Sequence, residues 1–171
     1  MFHEDRPKVK VKKDKVDIAI EILTFTLLLF SFLFIGYHYS NLPEQIPAHF
    51  GYSGEVNRYD EKSMIWLLPV ILSVVCWVIF SLNDYPHLYN YPEKITEENA
   101  KKYYKESVKM MRFINLGMAM LSFLVTYETV TIALNNTTRF SLLTNVLILT
   151  IVGFMTIIPI IMVFKNIKRA K

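Results

Sequence analysis

The sequence predicts an all-α integral membrane protein of four transmembrane helices, with an ordered outer loop between the first and second. Three observations carry this. Hydrophobic residues make up 53% of the 171-residue chain and fall in four long runs rather than at the spacing of a soluble core. Each run is close to the ~20 residues a helix needs to cross hydrocarbon. The runs do not alternate as barrel strands do, and only helices or closed barrels satisfy the backbone at that depth. Sixteen of the nineteen Lys and Arg residues flank the runs on one side, which places both termini in the cytoplasm by the positive-inside rule.

In chain order, 1–15 is a cytoplasmic basic tail, charged and Pro-containing, read as a mobile or surface-lying arm. Transmembrane helix 1 covers 16–40. Its apolar stretch is longer than a signal-peptide core and lacks a small-residue cleavage site, so it is read as a retained helix. Asp17, Glu21, Thr24, Leu28, Ser31, Ile35 and His38 alternate spacings of four and three, which keeps them on one face. A polar face within a membrane turns toward protein.

The outer loop, 41–62, is longer than a connection between neighbouring helices requires. Leu42-Pro43 and Ile46-Pro47 favour extended chain. Gly51 and Gly54 flank a turn, so an extended segment through His49 and Phe50 should return through Asn57 to Tyr59. Leu42, Ile46, Phe50, Val56 and Tyr59 are the residues expected to seat this cap on the helix ends.

Helix 2 covers 63–83, with Pro69 expected to free the Ile65 carbonyl and kink it. The cytoplasmic stretch 84–109 carries Tyr85-Pro86 and Tyr91-Pro92, then Thr96 as N-cap before Glu97 and Glu98, which suit a helix dipole. An amphipathic helix from Glu97 runs or bends into transmembrane helix 3, 110–134. There Arg112, Asn115, Ala119, Ser122, Thr126, Thr129 and Ala133 repeat the alternation seen in helix 1, so the two faces should meet. A short outer loop, 135–141, leads to transmembrane helix 4, 142–164. That helix carries a small-residue ridge of Thr150, Gly153 and Thr156 and a bend at Pro159. A second basic tail covers 165–171. Cys76 is alone and mid-helix, a small buried hydrophobe unable to form an internal disulfide.

The loop sequence IPAHFGYSGEVNRYDEK resembles the bacterial domain of unknown function 1648 family, whose pattern is Ile-Pro-x-His-Phe-Asn-x-x-Gly-x-x-Asp, an aromatic, then Lys. Pro43, Pro47, His49, Phe50, Gly54, Tyr59 and Lys62 match, as do Ile46 and the Leu67 to Pro69 opening of helix 2. The chain departs from the pattern at Gly51, where Asn is usual, and at Asn57, where Asp is usual. The family includes immunity proteins of the Sdp type, so the resemblance implies a membrane protein that resists or senses a membrane-active peptide.

The family-motif residues, Asn57 among them, are thus the ligand candidates. His49 is the sharpest: a contacting or titrating side chain, weighed evenly against a hydrogen-bonded pin for the loop. His38, His49 and Glu128 approach one end and form a weak metal candidate from three separate segments; no metal and no cofactor is predicted. Glu21 and Arg112, with His38, Asn115 and Glu128, are the ionisable or polar groups at membrane depth, and Glu21 should pair with Arg112. Tyr37, Tyr39, Tyr52 and Tyr59 fit an aromatic belt better than a ligand site. The expected partners are the lipid bilayer and a peptide or another membrane protein. Nucleic acid is excluded because topology accounts for the basic charge, and a homo-oligomer is left open. No HExxH, GxSxG or CxxC occurs, so a non-enzymatic role is favoured. An assembly or transport partner is the alternative, and a small membrane enzyme with an outer-facing His/Glu site the remote one.

Overall fold

The computed structural model describes residues 6–169, for 162–169 the backbone alone. The side chains of the expected basic tail, Lys165, Lys168, Arg169 and Lys171, and the first five residues of the N-terminal one lie outside the described residues. Four helices, α1 (Lys15–His38), α2 (Leu67–Leu82), α3 (Glu97–Asn135) and α4 (Leu142–Arg169), account for most of the chain. Four helical segments are long and apolar enough to cross a membrane: Lys15–Asn41, Lys62–Leu82, Glu97–Asn135 and Leu142–Ile161. The chain is not all-α: the first loop folds into a two-stranded antiparallel sheet, β1 (Gln45–Phe50) and β2 (Val56–Glu61).

Each element follows from local chemistry. The Asp14 side chain accepts from the Asp17 N–H at 2.9 Å, and the Asp17 carboxylate accepts from the Asp14 N–H at 3.0 Å, a reciprocal cap that starts α1. Thr96 precedes α3 as expected, with its N–H donating to Asn99 Oδ1 at 2.9 Å. From there α3 continues unbroken for 39 residues, about 58 Å at 1.5 Å per residue. It ends at Asn136, which takes a left-handed conformation, φ 52°, one that Asn tolerates well. Pro69 does not fall inside a long helix. A 3₁₀ segment, Lys62–Trp66, comes first and α2 starts at Leu67, so Pro69 occupies the opening turn, where no intrahelical donor is lost. Helix α4 continues through Pro159.

Helix α3 is the spine, and α1, α2 and α4 each pack on it. The α1 face buries Asp17, Thr24, Leu28, Ser31 and Ile35, with Glu21 and His38 half-buried at its margins. The α3 face buries all seven residues of its alternating stripe. The expected meeting of the two polar faces is therefore what orders the bundle. The small-residue ridge of α4 lies away from its contact with α3. Among the described residues nothing lies within 4 Å of a Cβ placed at Gly153, and the Thr150 and Thr156 hydroxyls donate to carbonyls of their own helix. The close approach is at Gly117 of α3, where a Cβ would collide with Met155.

Two apolar clusters close the ends. At the hairpin end Ile35, Leu42, Ile46, Ile65, Val130 and Ala133 pack together, with Phe34, Tyr39 and Trp66 against them. At the other end Ile95, Ala100, Tyr103 and Tyr104 form a cluster that Val9, Val11 and Tyr91 cover. The described part of the N-terminal arm is docked there. Arg6 Nη1 donates to the His87 and Tyr89 carbonyls at 3.1 and 2.5 Å, and the Tyr104 hydroxyl donates to the Pro7 carbonyl at 3.0 Å. Of the two readings of this arm, the surface-lying one describes it. Burial raises the Tyr89 and Tyr91 hydroxyl pKa values, that of Tyr91 to about 12.

Candidate functional site: the hairpin and the groove beneath it

The hairpin is fixed at its root and at its tip. At the root the Lys62 N–H donates to the Glu44 carbonyl at 2.9 Å, and Lys62 Nζ pairs with the Glu44 carboxylate at 2.9 Å. Leu42 and Ile46 are buried against α1 and α3, while Pro43 is exposed before the strand. At the tip the Val56 N–H donates to the Thr138 carbonyl at 2.8 Å and the Phe140 N–H to the Gly54 carbonyl at 2.9 Å, so the α3–α4 connection pairs with the hairpin edge. Phe50 and Phe140 stack with centroids 4.1 Å apart. Gly54 has φ 81°, and a Cβ there would lie 3.1 Å from that of Phe140, so position 54 requires glycine twice over. Glu55 accepts from the Ser53 hydroxyl, which holds its carboxyl below the usual range, helped by a backbone bond.

The regular pairing is interrupted around His49. Ile46 and Pro47 are buried, whereas His49, Asn57 and Tyr59 are exposed. His49 Nδ1 lies 2.5 Å from Asn57 Oδ1. The amide oxygen accepts from an Nδ1–H tautomer and leaves Nε2 open toward solvent. Asn, where the family has Asp, orients the ring without adding a charge. Tyr59 does not help to seat the cap as expected, because its strand position turns it outward.

Beneath the hairpin lies a groove of about 330 Å³, walled by Ile46, Pro47, Phe50, Met64, Leu68 and Val125 among others. That volume is at the lower end of small-molecule sites. Arg58 and Asp60, paired at 3.0 Å, stand at its polar end, and Thr126 and Thr129 line its α3 side. Thr126 is 2% exposed and its hydroxyl has no hydrogen-bond partner among the described residues.

The polar groups between α1 and α3 form a separate seam. Arg112, 3% exposed, donates from Nε to Glu21 at 2.8 Å and holds Asp17 at 3.3 Å through Nη1. Lys13 takes the other Glu21 oxygen at 2.7 Å. The expected Glu21–Arg112 pair is present, and Asp17 and Lys13 make it a balanced set of two anions and two cations. Asn115 donates to the Cys76 carbonyl at 3.0 Å, and Ser122 to Ser31 at 3.3 Å. Glu128 is 4% exposed and accepts from the Ser141 N–H at 3.4 Å. His38 packs against the Phe34 and Tyr37 rings. His38, His49 and Glu128 are not brought together: among the described residues no three His, Cys, Asp or Glu side chains gather as metal ligands. The trio fails because each member is engaged locally, with rings, with Asn57 and with the Ser141 amide respectively.

The sequence did not disclose the groove. Its walls come from the hairpin, the 3₁₀ entry to α2 and the middle of α3; Ile46, Pro47 and Phe50 stood out as motif residues and Thr126 and Thr129 as stripe members, but not as one site. Asn83, buried at the α2 C-terminus and accepting from the Tyr89 hydroxyl at 2.8 Å, was also missed.

These features define a class: a helical hairpin with a small β-hairpin at its bend, completed by two further helices of membrane-spanning character. Residues 26–73, from mid-α1 through the hairpin to the first turns of α2, match the family described as Domain of unknown function (DUF1648), the one its loop motif resembles. A protein of Archaeoglobus fulgidus, described as an uncharacterized protein, is 28% identical over 109 residues, covering 53% of this chain and 60% of that protein. The chain thus spans under two thirds of that relative's length, and the relative is archaeal where the motif suggested bacteria. No solved structure matches the chain.

Proposed function

We propose that this chain is a multi-pass protein of the cell membrane, with both termini cytoplasmic, that senses or confers resistance to a membrane-active peptide through the hairpin, without catalysis. The membrane part is supported by exposure: Trp77, Val74, Leu149 and Phe154 stand outward on α2 and α4, an apolar surface far larger than water-soluble monomers present. The orientation rests on the bias of Lys and Arg. The observation that carries the peptide reading is the hairpin itself. It is tied at root and tip, yet among the described residues nothing covers its His49–Asn57 face or Tyr52, which is 91% exposed. A rigid two-stranded sheet with an open edge and a fixed imidazole suits an extended peptide, which binds by main-chain bonds and side-chain selection.

The test is survival. Wild type and His49→Ala are expressed at matched membrane levels in a sensitive bacterium and challenged with secreted membrane-active peptides. Protection by wild type that the variant loses is the expected result; absence of protection against every peptide defeats the reading. A second reading, an assembly or transport partner, is favoured by one observation. The Thr150, Gly153 and Thr156 ridge of α4 is uncovered, and such ridges let membrane helices approach closely. Under that reading a protein copurifies with wild type and is lost on Gly153→Leu.

A further inference from the structure

We propose that the groove beneath the hairpin binds one glycerophospholipid of the surrounding leaflet, its acyl chain along α2 and its phosphate at Arg58. The inference rests on the membrane placement proposed above but not on the peptide reading, which concerns the opposite face of the hairpin.

Three observations select this occupant. The groove is open sideways rather than upward: Met64, Leu67, Leu68 and Ile71 wall it and are themselves exposed. Leu67 and Ile71 continue with Val74 and Val78 as one outward stripe down α2, at the spacing of a helical face. An acyl chain entering the groove would therefore leave it along a surface already suited to acyl chains. The polar end holds a cation whose charge is balanced by Asp60 but whose donors are not all used. Arg58 is 63% exposed in its side chain and spends one nitrogen on Asp60, which leaves guanidinium donors for a phosphate. Between the two ends Thr126 lines the groove, while its hydroxyl is shielded from solvent and has no partner among the described residues. A buried donor without an acceptor is costly, and an ester carbonyl at the junction of head and chain would satisfy it once rotation about χ1 turns the hydroxyl to the groove.

A peptide fits this site less well. It would have to pass beneath a hairpin fixed at both ends, whereas a lipid arrives from the side on which the groove opens.

The experiment uses the full chain in phosphatidylcholine vesicles doped with a phosphatidylglycerol that carries a diazirine midway along one chain. After illumination, adducts are mapped by peptide mass spectrometry and normalised to those on the outward face of α4 at Leu149 and Phe154. The proposal expects enrichment on Met64 to Ile71 and Val125 to Thr129. Thr126→Val, which keeps the shape and removes the hydroxyl, should lower that enrichment about fivefold, the value of one hydrogen bond. Leu68→Trp, at a surface position that need not disturb the core, should fill the groove and remove the excess. A diazirine fatty alcohol, lacking ester and phosphate, should show no enrichment.

Groove labelling no higher than on α4, or labelling indifferent to both variants, would mean a passing annular lipid and overturn the proposal. Enrichment of the fatty alcohol equal to that of the phospholipid would overturn the head-group assignment. If α4 itself stays unlabelled, the membrane placement fails with it, which separates the two failures.

Discussion

Arg112 sits between Asp17 and Glu21 with almost no contact with solvent. Its replacement by Ala would strand a buried carboxylate, and removing one partner of such a set costs about 3–5 kcal/mol. Thermal unfolding of Arg112→Ala in micelles should show that loss, and adding Asp17→Asn and Glu21→Gln should recover much of it. Equal losses in the single and triple variants would show that the three side chains are not coupled. Gly54 offers a second residue-level outcome. Ala there must hold φ 81° and meet Phe140, so the hairpin should lose about 1–3 kcal/mol, read as a lower midpoint of unfolding. These two positions differ in how far the sequence exposed them. Arg112 and Glu21 were legible as partners because each lies on a stripe of alternating threes and fours, and stripes fix which faces meet. Gly54 was legible as a turn residue, yet its contact with Phe140 was not, since that depends on a loop 86 residues further along folding back. Thr126 shows the limit most clearly. Its place on the stripe predicted burial, but an unpartnered hydroxyl is a property of a cavity, and a cavity is set by how three elements seat together.

The hairpin and the α3–α4 connection act as one element, joined by the Val56–Thr138 and Gly54–Phe140 bonds and the Phe50–Phe140 stack. Phe140→Ala should therefore release the tip of the hairpin as well as the connection. Amide exchange at Val56 and Phe140 should accelerate together, by about tenfold or more if the stack contributes over ~1.4 kcal/mol, with β1 at Gln45 and Ile46 little affected. Acceleration at Phe140 alone would show that the two segments open independently. At the opposite end the docked arm, Tyr89 and Tyr91 form another such unit. Burial raises the Tyr91 hydroxyl from 10.0 to about 12, so the folded state holds a proton that the unfolded state gives up first. Stability from this group is complete below pH 10 and is lost as pH rises through 12. Tyrosinate absorbance should show a late step that Tyr91→Phe removes. The strands were legible from Pro43, Pro47 and the two glycines, although the sequence did not distinguish paired strands from extended chain. The arm was legible only as one of two readings, surface-lying or mobile, because its anchors, Val9, Val11 and Arg6, are dispersed among lysines.

At the scale of the molecule, α3 bears three helices on three faces, and two of those helices, α2 and α4, are mostly uncovered. Such an arrangement is stable only if something apolar covers them, and a bilayer does so for all faces at once. The same geometry makes the orientation testable without a ligand. The hairpin tip and the 135–141 connection lie together at one end, and the docked arm with 83–108 at the other, so any bilayer across the spans separates Ser53 from Lys102. Cys76 is buried, and its replacement by Ala leaves a chain free of native thiols for labelling. In that background Ser53→Cys, at an exposed tip, should react with a membrane-impermeant maleimide in intact cells. Lys102→Cys, exposed on the first turns of α3, should react only after permeabilisation. The reverse pattern would place the termini outside and the hairpin in the cytoplasm, against the charge rule, leaving the lysine-rich ends to be explained by something other than topology. Reaction of both in intact cells would mean that the four long helices do not cross the bilayer together, and both the peptide reading and the lipid groove would fall with that result. Labelling of Ser53→Cys alone leaves an exposed hairpin on the outer face, where a secreted peptide arrives, and a groove in the outer leaflet directly below it.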